Sequence, residues 1–238
     1  MSDYKTIAVT QSSRVATLTL ARPDQLNALS PELMVECLHA LEVIAASAEI
    51  GAVILAAQGR AFSAGVDLKA VTKPDYTPER AAEFSRNAER VLTLLESMPQ
   101  ATIAKVHGIC FTGGLELALG CDLMVAADEA RFADTHAKLG YAPIWGLSQR
   151  LPRRIGNQRA REMSFTAREY SGTEAAAMGL VLKSVPLSQL GAAVEELAQS
   201  IVKNNSDSIS TYKKLYNQAQ NSFLRDGLQY EMQRKYLD

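Results

Sequence analysis

Polar and apolar residues alternate in Arg14-Val-Ala-Thr-Leu-Thr-Leu20, which predicts a half-buried strand. The runs Ala52-Val-Ile-Leu-Ala56 and Ala101-Thr-Ile-Ala-Lys-Val106 are more continuously apolar and predict short strands buried more fully. Between these segments the apolar spacing becomes helical. Ser30-Pro31-Glu32 supplies an N-cap, a proline at the first helical position and a first-turn acid, and Leu33, Met34, Cys37, Leu38 and Leu41 then share one face. Thr77-Pro78-Glu79 opens a second helix in the same way, which runs to about Ser97 before Met98-Pro99 ends it. A further strand is expected at Asp122-Leu-Met-Val-Ala126, and from there the pattern is mainly helical, punctuated by Gly156, Gly172 and Gly179. Strands alternating with helices predict an α/β fold of βαβ units with a largely parallel sheet and a helical C-terminal third.

Composition adds exclusions. With 47% hydrophobic and 21% charged residues over 238 positions, one globular domain accounts for the chain, and disorder and coiled coil are disfavoured. The formal charge of −1 and the absence of a basic block argue against a nucleic-acid partner. Cys37, Cys110 and Cys121 form no CxxC pair, which argues against a disulfide framework or a zinc cluster and fits a reducing compartment. The polar start and the lack of an apolar run of about 18 residues predict neither secretion nor membrane insertion, so a cytoplasmic location is expected. No GxGxxG, P-loop, HExxH or GxSxG occurs, and His39, His107 and His136 have no second ligand at metal spacing, so no metal is expected.

Two segments carry candidate chemistry. Gln58–Lys69 is expected directly after the Ala52–Ala56 strand, where α/β folds place ligand loops. His107–Asp122 follows the next strand, and its Gly113-Gly114 pair opens an apolar helix whose free amides make a natural anion site. Glu116 falls in the first turn of that helix, among Leu115, Leu117, Ala118 and Leu119. It is either a solvated first-turn charge or a partly buried base.

Together these segments resemble the crotonase, or enoyl-CoA hydratase/isomerase, superfamily along nearly the whole chain. The resemblance runs through Ala21-Arg-Pro-Asp-Gln-Leu-Asn-Ala-Leu29, Ala61-Phe-Ser-Ala-Gly-Val-Asp-Leu68, Gly113-Gly-Leu-Glu116 and Gln149-Arg150-Leu151. It implies a spiral of ββα units over residues 1–185, with C-terminal helices over 186–238 that complete a homotrimer, commonly paired into a hexamer. Members usually continue for a short segment beyond the position of Asp238, which implies an incomplete C-terminus. The implied partner is an acyl-CoA thioester, with no separate cofactor because coenzyme A belongs to the substrate. The implied oxyanion hole is the amides of Val66 and Gly113, and Glu116 matches the general base that activates water. Ala64, Gly65, Asp67, Leu68, Gly114, Arg22 and Leu26 lie in the matching substrate-binding segments. Asp67 also reads as a helix-start residue, and Arg22, Lys69 and Lys105 as cations that either meet CoA phosphates or stay solvated.

The chain departs from the family at the second catalytic glutamate. Aligning Phe132–Gly140 with F-x-x-P-E-x-x-x-G puts His136 at the acid and Thr135 at the proline. An imidazole also exchanges protons near neutrality, so His136 is either the acid in altered form or a structural histidine. Asp134, two residues away, either contributes a carboxylate there or, if the segment is extended, points to the opposite face. Ile144 and Trp145 replace small residues of a glycine-rich turn, where the acyl pocket is expected to be reshaped. The activity implied is hydration of a 2-enoyl-CoA to a 3-hydroxyacyl-CoA, as in β-oxidation of fatty acids. The alternatives are double-bond isomerisation and acyl-CoA binding with little turnover.

Overall fold

A computed structural model describes residues 4–232. The C-terminal end on which the expectation of incompleteness rests lies outside them. The strands are β1 (Ile7–Ser12), β2 (Val15–Leu20), β3 (Ala52–Ala57), β4 (Ala61–Ser63), β5 (Ala101–Val106), β6 (Ile109–Phe111), β7 (Leu123–Ala127), β8 (Arg131–Ala133), β9 (Tyr170–Ser171) and β10 (Lys183–Val185). The helices are α1 (Pro31–Ala45), α2 (Leu68–Val71), α3 (Pro78–Ser97), α4 (Gly113–Leu119), α5 (His136–Leu139), α6 (Leu147–Ile155), α7 (Asn157–Thr166), α8 (Gly172–Ala177), α9 (Leu187–Val202), α10 (Ser206–Ala219) and α11 (Leu224–Met232).

The predicted caps form. Ser30 Oγ accepts from the Leu33 amide at 3.2 Å, and Thr77 Oγ1 accepts from the Arg80 amide. Each cap is worth about 1 kcal/mol because it satisfies an amide that the helix itself leaves unpaired. The apolar face of α1 is buried at Leu33, Met34, Cys37, Leu38 and Leu41, and packs against α3.

Two sheets share the chain. The first has the order β1-β2-β3-β5-β7-β10, parallel except for the β1–β2 hairpin. The second has the order β4-β6-β8-β9, with β9 alone antiparallel. The chain alternates between them: β3, β5 and β7 each turn tightly into β4, β6 and β8. The result is the spiral of ββα units that the resemblance implies. Both chemistry-bearing segments follow a strand of the first sheet directly, as expected, Gln58–Lys69 after β3 and His107–Asp122 after β5, and each contains a short strand of the second sheet that the sequence reading does not predict. These strands are three residues long and show no period of their own, which is why periodicity misses them.

Phe62 and Phe132 of the second sheet and Leu18, Leu20, Leu55 and Ile103 of the first are fully buried. The last strand ends at Val185, and α9 then packs on β3, β5, β7 and β10 through Leu190, Val194 and Ala198. Among the described residues no helix is long and apolar enough to cross a membrane.

Candidate active site

The first wall of the site is tied together by Asn27, which is fully buried and sits in the left-handed region at φ 51°. Its Oδ1 accepts from the Arg22 amide, and its Nδ2 donates to the carbonyls of Gln58 and Ala61. Ser63 Oγ donates to the Asn27 carbonyl and accepts from the Gly65 amide. The Leu29 amide donates to the Gly65 carbonyl and the Asp67 amide to the Leu29 carbonyl, in a parallel bridge around Val66. That bridge uses the groups on either side of Val66 and leaves its N–H without a backbone or side-chain acceptor among the described residues.

Gly65 takes φ +98°, a conformation that excludes side chains, and a Cβ there would stand 3.2 Å from the Phe111 carbonyl and 3.4 Å from the Gly113 nitrogen. The two predicted loops therefore meet backbone to backbone. Gly113 begins α4, so its amide has no intrahelical acceptor, and it too makes no bond to protein among the described residues. The Val66 side chain lies 3.5 Å from the position of a Gly113 Cβ. Two unclaimed amides, one at a positive helix terminus, thus lie on two loops in contact.

Glu116 is 2% exposed, which decides between the two expectations for it: it is buried, not a solvated first-turn charge. Its Oε1 accepts from the amides of Trp145 and Leu147 at 3.2 and 3.1 Å. Burial pushes its carboxyl up from the ordinary 4.5, against the opposing pull of the Leu147 amide, the His136 charge and the Trp145 amide; the Asp134 charge adds to the rise. The 145–147 turn is held from its other side by Arg150, which donates to the Trp145 carbonyl at 2.6 Å and pairs with both carboxylate oxygens of Glu96. Arg150 and Glu116 thus fix one turn from opposite directions.

His136 is the first residue of α5 and is electrostatically coupled to Glu116. Of the two expectations for Asp134, the extended one is corrected here. After Ala133 the chain leaves the strand, and Asp134 Oδ1 accepts from the His136 amide at 3.1 Å, an i to i+2 turn that brings the two side chains to one face. The same oxygen is 2.7 Å from His136 Nδ1. Asp134 is 1% exposed and the His136 side chain 13%. Burial alone would raise the Asp134 carboxyl. Hydrogen bonds from the His136 ring, the Ser164 hydroxyl and the His136 amide outweigh it and hold the group below 3.8. A hydrogen bond links Thr112 Oγ1 with Thr135 Oγ1, and the Thr135 amide also donates to Thr112 Oγ1, so the residue before Gly113 is latched to the residue before His136. Thr112 itself is strained, at φ 50° and ψ −111°. Sequence reasoning gave neither threonine this role.

Of the remaining expected residues, Asp67 caps α2 through the Ala70 amide and pairs with Arg22 Nη2 at 2.7 Å. Arg22 also donates to the Ala28 carbonyl, so its guanidinium braces the loop. Ala64 donates its amide to the Leu26 carbonyl, and Leu26 is half-buried at φ 51°. Gly114 packs against Ser63, and Leu68 and Lys69 are exposed. The two bulky residues of the turn part company: Ile144 is 74% exposed, whereas Trp145 is 5% exposed, stands edge-on to Phe84 and lies against Gly113. His39 bonds Tyr4, His107 bonds the Gly59 carbonyl, and all three cysteines are free and buried.

A family model described as Enoyl-CoA hydratase/isomerase matches residues 10–236. A probable enoyl-CoA hydratase of Mycobacterium bovis is 36% identical over 228 residues, covering 96% of this chain and 87% of that protein. The short-chain-enoyl-CoA hydratase of Clostridium acetobutylicum is 31% identical over 230 residues, with 96% and 87% covered. A crystal structure of an enoyl-CoA hydratase from Bacillus anthracis superposes with a TM-score of 0.92 at 34% identity, over 96% of this chain and 89% of that one.

Proposed function

Because the chain belongs to the enoyl-CoA hydratase/isomerase family, we propose that it adds water across the 2,3 double bond of an enoyl-CoA thioester to give the 3-hydroxyacyl-CoA. The observation that carries this reading is the buried Glu116 carboxylate, raised by burial and fixed by two amides, beside the two unclaimed amides of Val66 and Gly113. Hydration needs these parts. Glu116 removes a proton from water as its oxygen bonds to C3. The C2=C3 electron pair moves toward the thioester, whose oxygen gains charge against the two amides, and His136 gives a proton to C2 from Nε2. Fixed donors favour the charged oxygen of the transition state over the neutral carbonyl of the ground state. Two proton-handling groups, Glu116 and His136, favour hydration over isomerisation, in which a single group can carry one proton from C2 to C4.

Residues 186–238 complete a homotrimer or a pair of trimers in this reading. The exposed Tyr212, Tyr216, Leu224 and Leu228 on α10 and α11 support it, since such faces are usually covered. A cytoplasmic location and a place in β-oxidation complete the proposal. The test is incubation with crotonyl-CoA and, separately, with a 3-enoyl-CoA. Loss of enoyl absorbance with the first supports hydration. Conversion of the second to its 2-enoyl isomer without hydration of the first would replace this reading with the isomerase, and tight binding with neither reaction would reduce the protein to a binding module.

A further inference from the structure

A glutamic acid that donates a proton starts neutral and ends with a charge of −1. A lone imidazolium starts at +1 and ends neutral, which alters the field at the neighbouring Glu116 and at the enolate oxygen. Asp134 changes that comparison. Its carboxylate is almost fully buried, 2.7 Å from His136 Nδ1, with the His136 amide on the same oxygen and the Ser164 hydroxyl also acting on the group. We propose that Asp134 and His136 act as one unit in place of a single carboxylic acid, Asp134 being the positioning residue that keeps a proton on Nδ1 so that His136 exchanges protons with substrate through Nε2 alone.

The unit carries no net charge as donor, being carboxylate plus imidazolium, and −1 after donation, being carboxylate plus neutral imidazole. These are the two charge states of a glutamic acid. Asp134 also fixes orientation: with one ring nitrogen held by a buried carboxylate and the backbone turn closed onto the same oxygen, the ring cannot flip without breaking a charge-assisted bond. The charged group outside the pair that faces it is Glu116 of α4, and α7 supplies the Ser164 hydroxyl. The Thr112–Thr135 bonds connect this turn to the residue that precedes the Gly113 amide.

The inference rests on the reading of His136 as the group that handles the C2 proton, and a double-mutant cycle on crotonyl-CoA hydration separates the two. Asp134→Asn keeps the shape but removes the charge and should lower kcat by about 10²-fold or more with KM changed only several-fold. His136→Glu carries its own carboxyl and should retain turnover. In that background Asp134→Asn should cost no more than a few-fold, because the second carboxylate is no longer needed. Equal losses in both backgrounds, or no loss in the first, would overturn the unit while leaving His136 as the donor. Native turnover of His136→Ala would instead remove His136 from the chemistry and take this proposal with it. Nitrogen-15 NMR of the unaltered protein needs no variant to fold: the neutral His136 ring should carry its proton on Nδ1, and a bare Nδ1 would overturn the proposal.

Discussion

Gly114→Ala adds a single methyl group and tests whether the proposed oxyanion amide depends on the close backbone contact between α4 and β4. A Cβ at position 114 would lie 2.6 Å from the Ser63 carbonyl oxygen and 2.8 Å from the Ser63 Cβ. Ordinary contact begins near 3.4 Å, so α4 and β4 must part by roughly 0.8 Å at this point. Ser63 cannot give way cheaply, because its hydroxyl is committed to the Asn27 carbonyl and the Gly65 amide. The strain should cost about 1–3 kcal/mol, which for a chain of this size lowers Tm by about 2–4 °C per kcal/mol. The larger effect is on rate: Gly113 is the preceding residue, and misplacing a catalytic group by about 1 Å can cost on the order of 10²-fold. Crotonyl-CoA hydration and thermal unfolding should be measured together, with Gly191→Ala as the control. Gly191 lies in α9 with nothing within 4 Å of an added Cβ, so alanine there should stabilise the helix by roughly 0.5–1 kcal/mol and leave kcat unchanged. A Gly114→Ala protein with native kcat and native Tm would refute the reasoning.

The burial of Glu116 sets the sign of the pH response. The proposed base works as carboxylate, and its raised pKa means kcat/KM should decline with acidification at a pH above the ordinary 4.5; a profile flat down to 4.5 would contradict this. Trp145→Ala removes a buried indole packed edge-on against Phe84 and should cost about 3–5 kcal/mol by thermal unfolding, while shifting the kcat/KM preference toward longer acyl chains; an unshifted preference would take Trp145 out of the acyl pocket. Lys213→Met leaves the Leu95 and Gln100 carbonyls and the Asp122 carboxylate without their shared ammonium, so stability should fall by roughly 3 kcal/mol with turnover per folded molecule unchanged. Unaltered Tm would show that the buried ammonium contributes nothing net.

The elements that sequence reading places correctly are those whose signals are local. The starts of α1 and α3 follow from Ser-Pro-Glu and Thr-Pro-Glu, the end of α3 from Met98-Pro99, and β2, β3, β5 and β7 from apolar runs within one residue of their observed limits. The second sheet is illegible for a physical reason: β4, β6 and β8 are stabilised by pairing with one another across long stretches of chain, and three residues cannot carry a period. In the candidate site, the motif residues point to Glu116, Val66 and Gly113, but which amides are free depends on the bridge between Leu29 and Val66, which only the fold reveals. Sequence reading leaves the Asp134–His136 contact open because the alternation rule for strands is applied beyond the strand's end. The signal was present: an aspartate two residues ahead of a helical residue is a turn pattern in which the side chain folds forward onto the amide at i+2. Thr112 leaves no such signal, since a β-branched residue at positive φ contradicts its own propensity.

The central claim is that Glu116 activates water in front of the Val66 and Gly113 amides. It is tested most directly by the steady-state hydration rate of Glu116→Gln on crotonyl-CoA, with thioester affinity measured on the same preparation. The glutamine keeps the size of the side chain and a carbonyl oxygen for the Trp145 and Leu147 amides, so folding and binding should remain within several-fold of the unaltered protein. With the base gone, kcat should fall by about 10²–10⁴. A folded, thioester-binding Glu116→Gln protein that keeps most of its kcat would contradict the account.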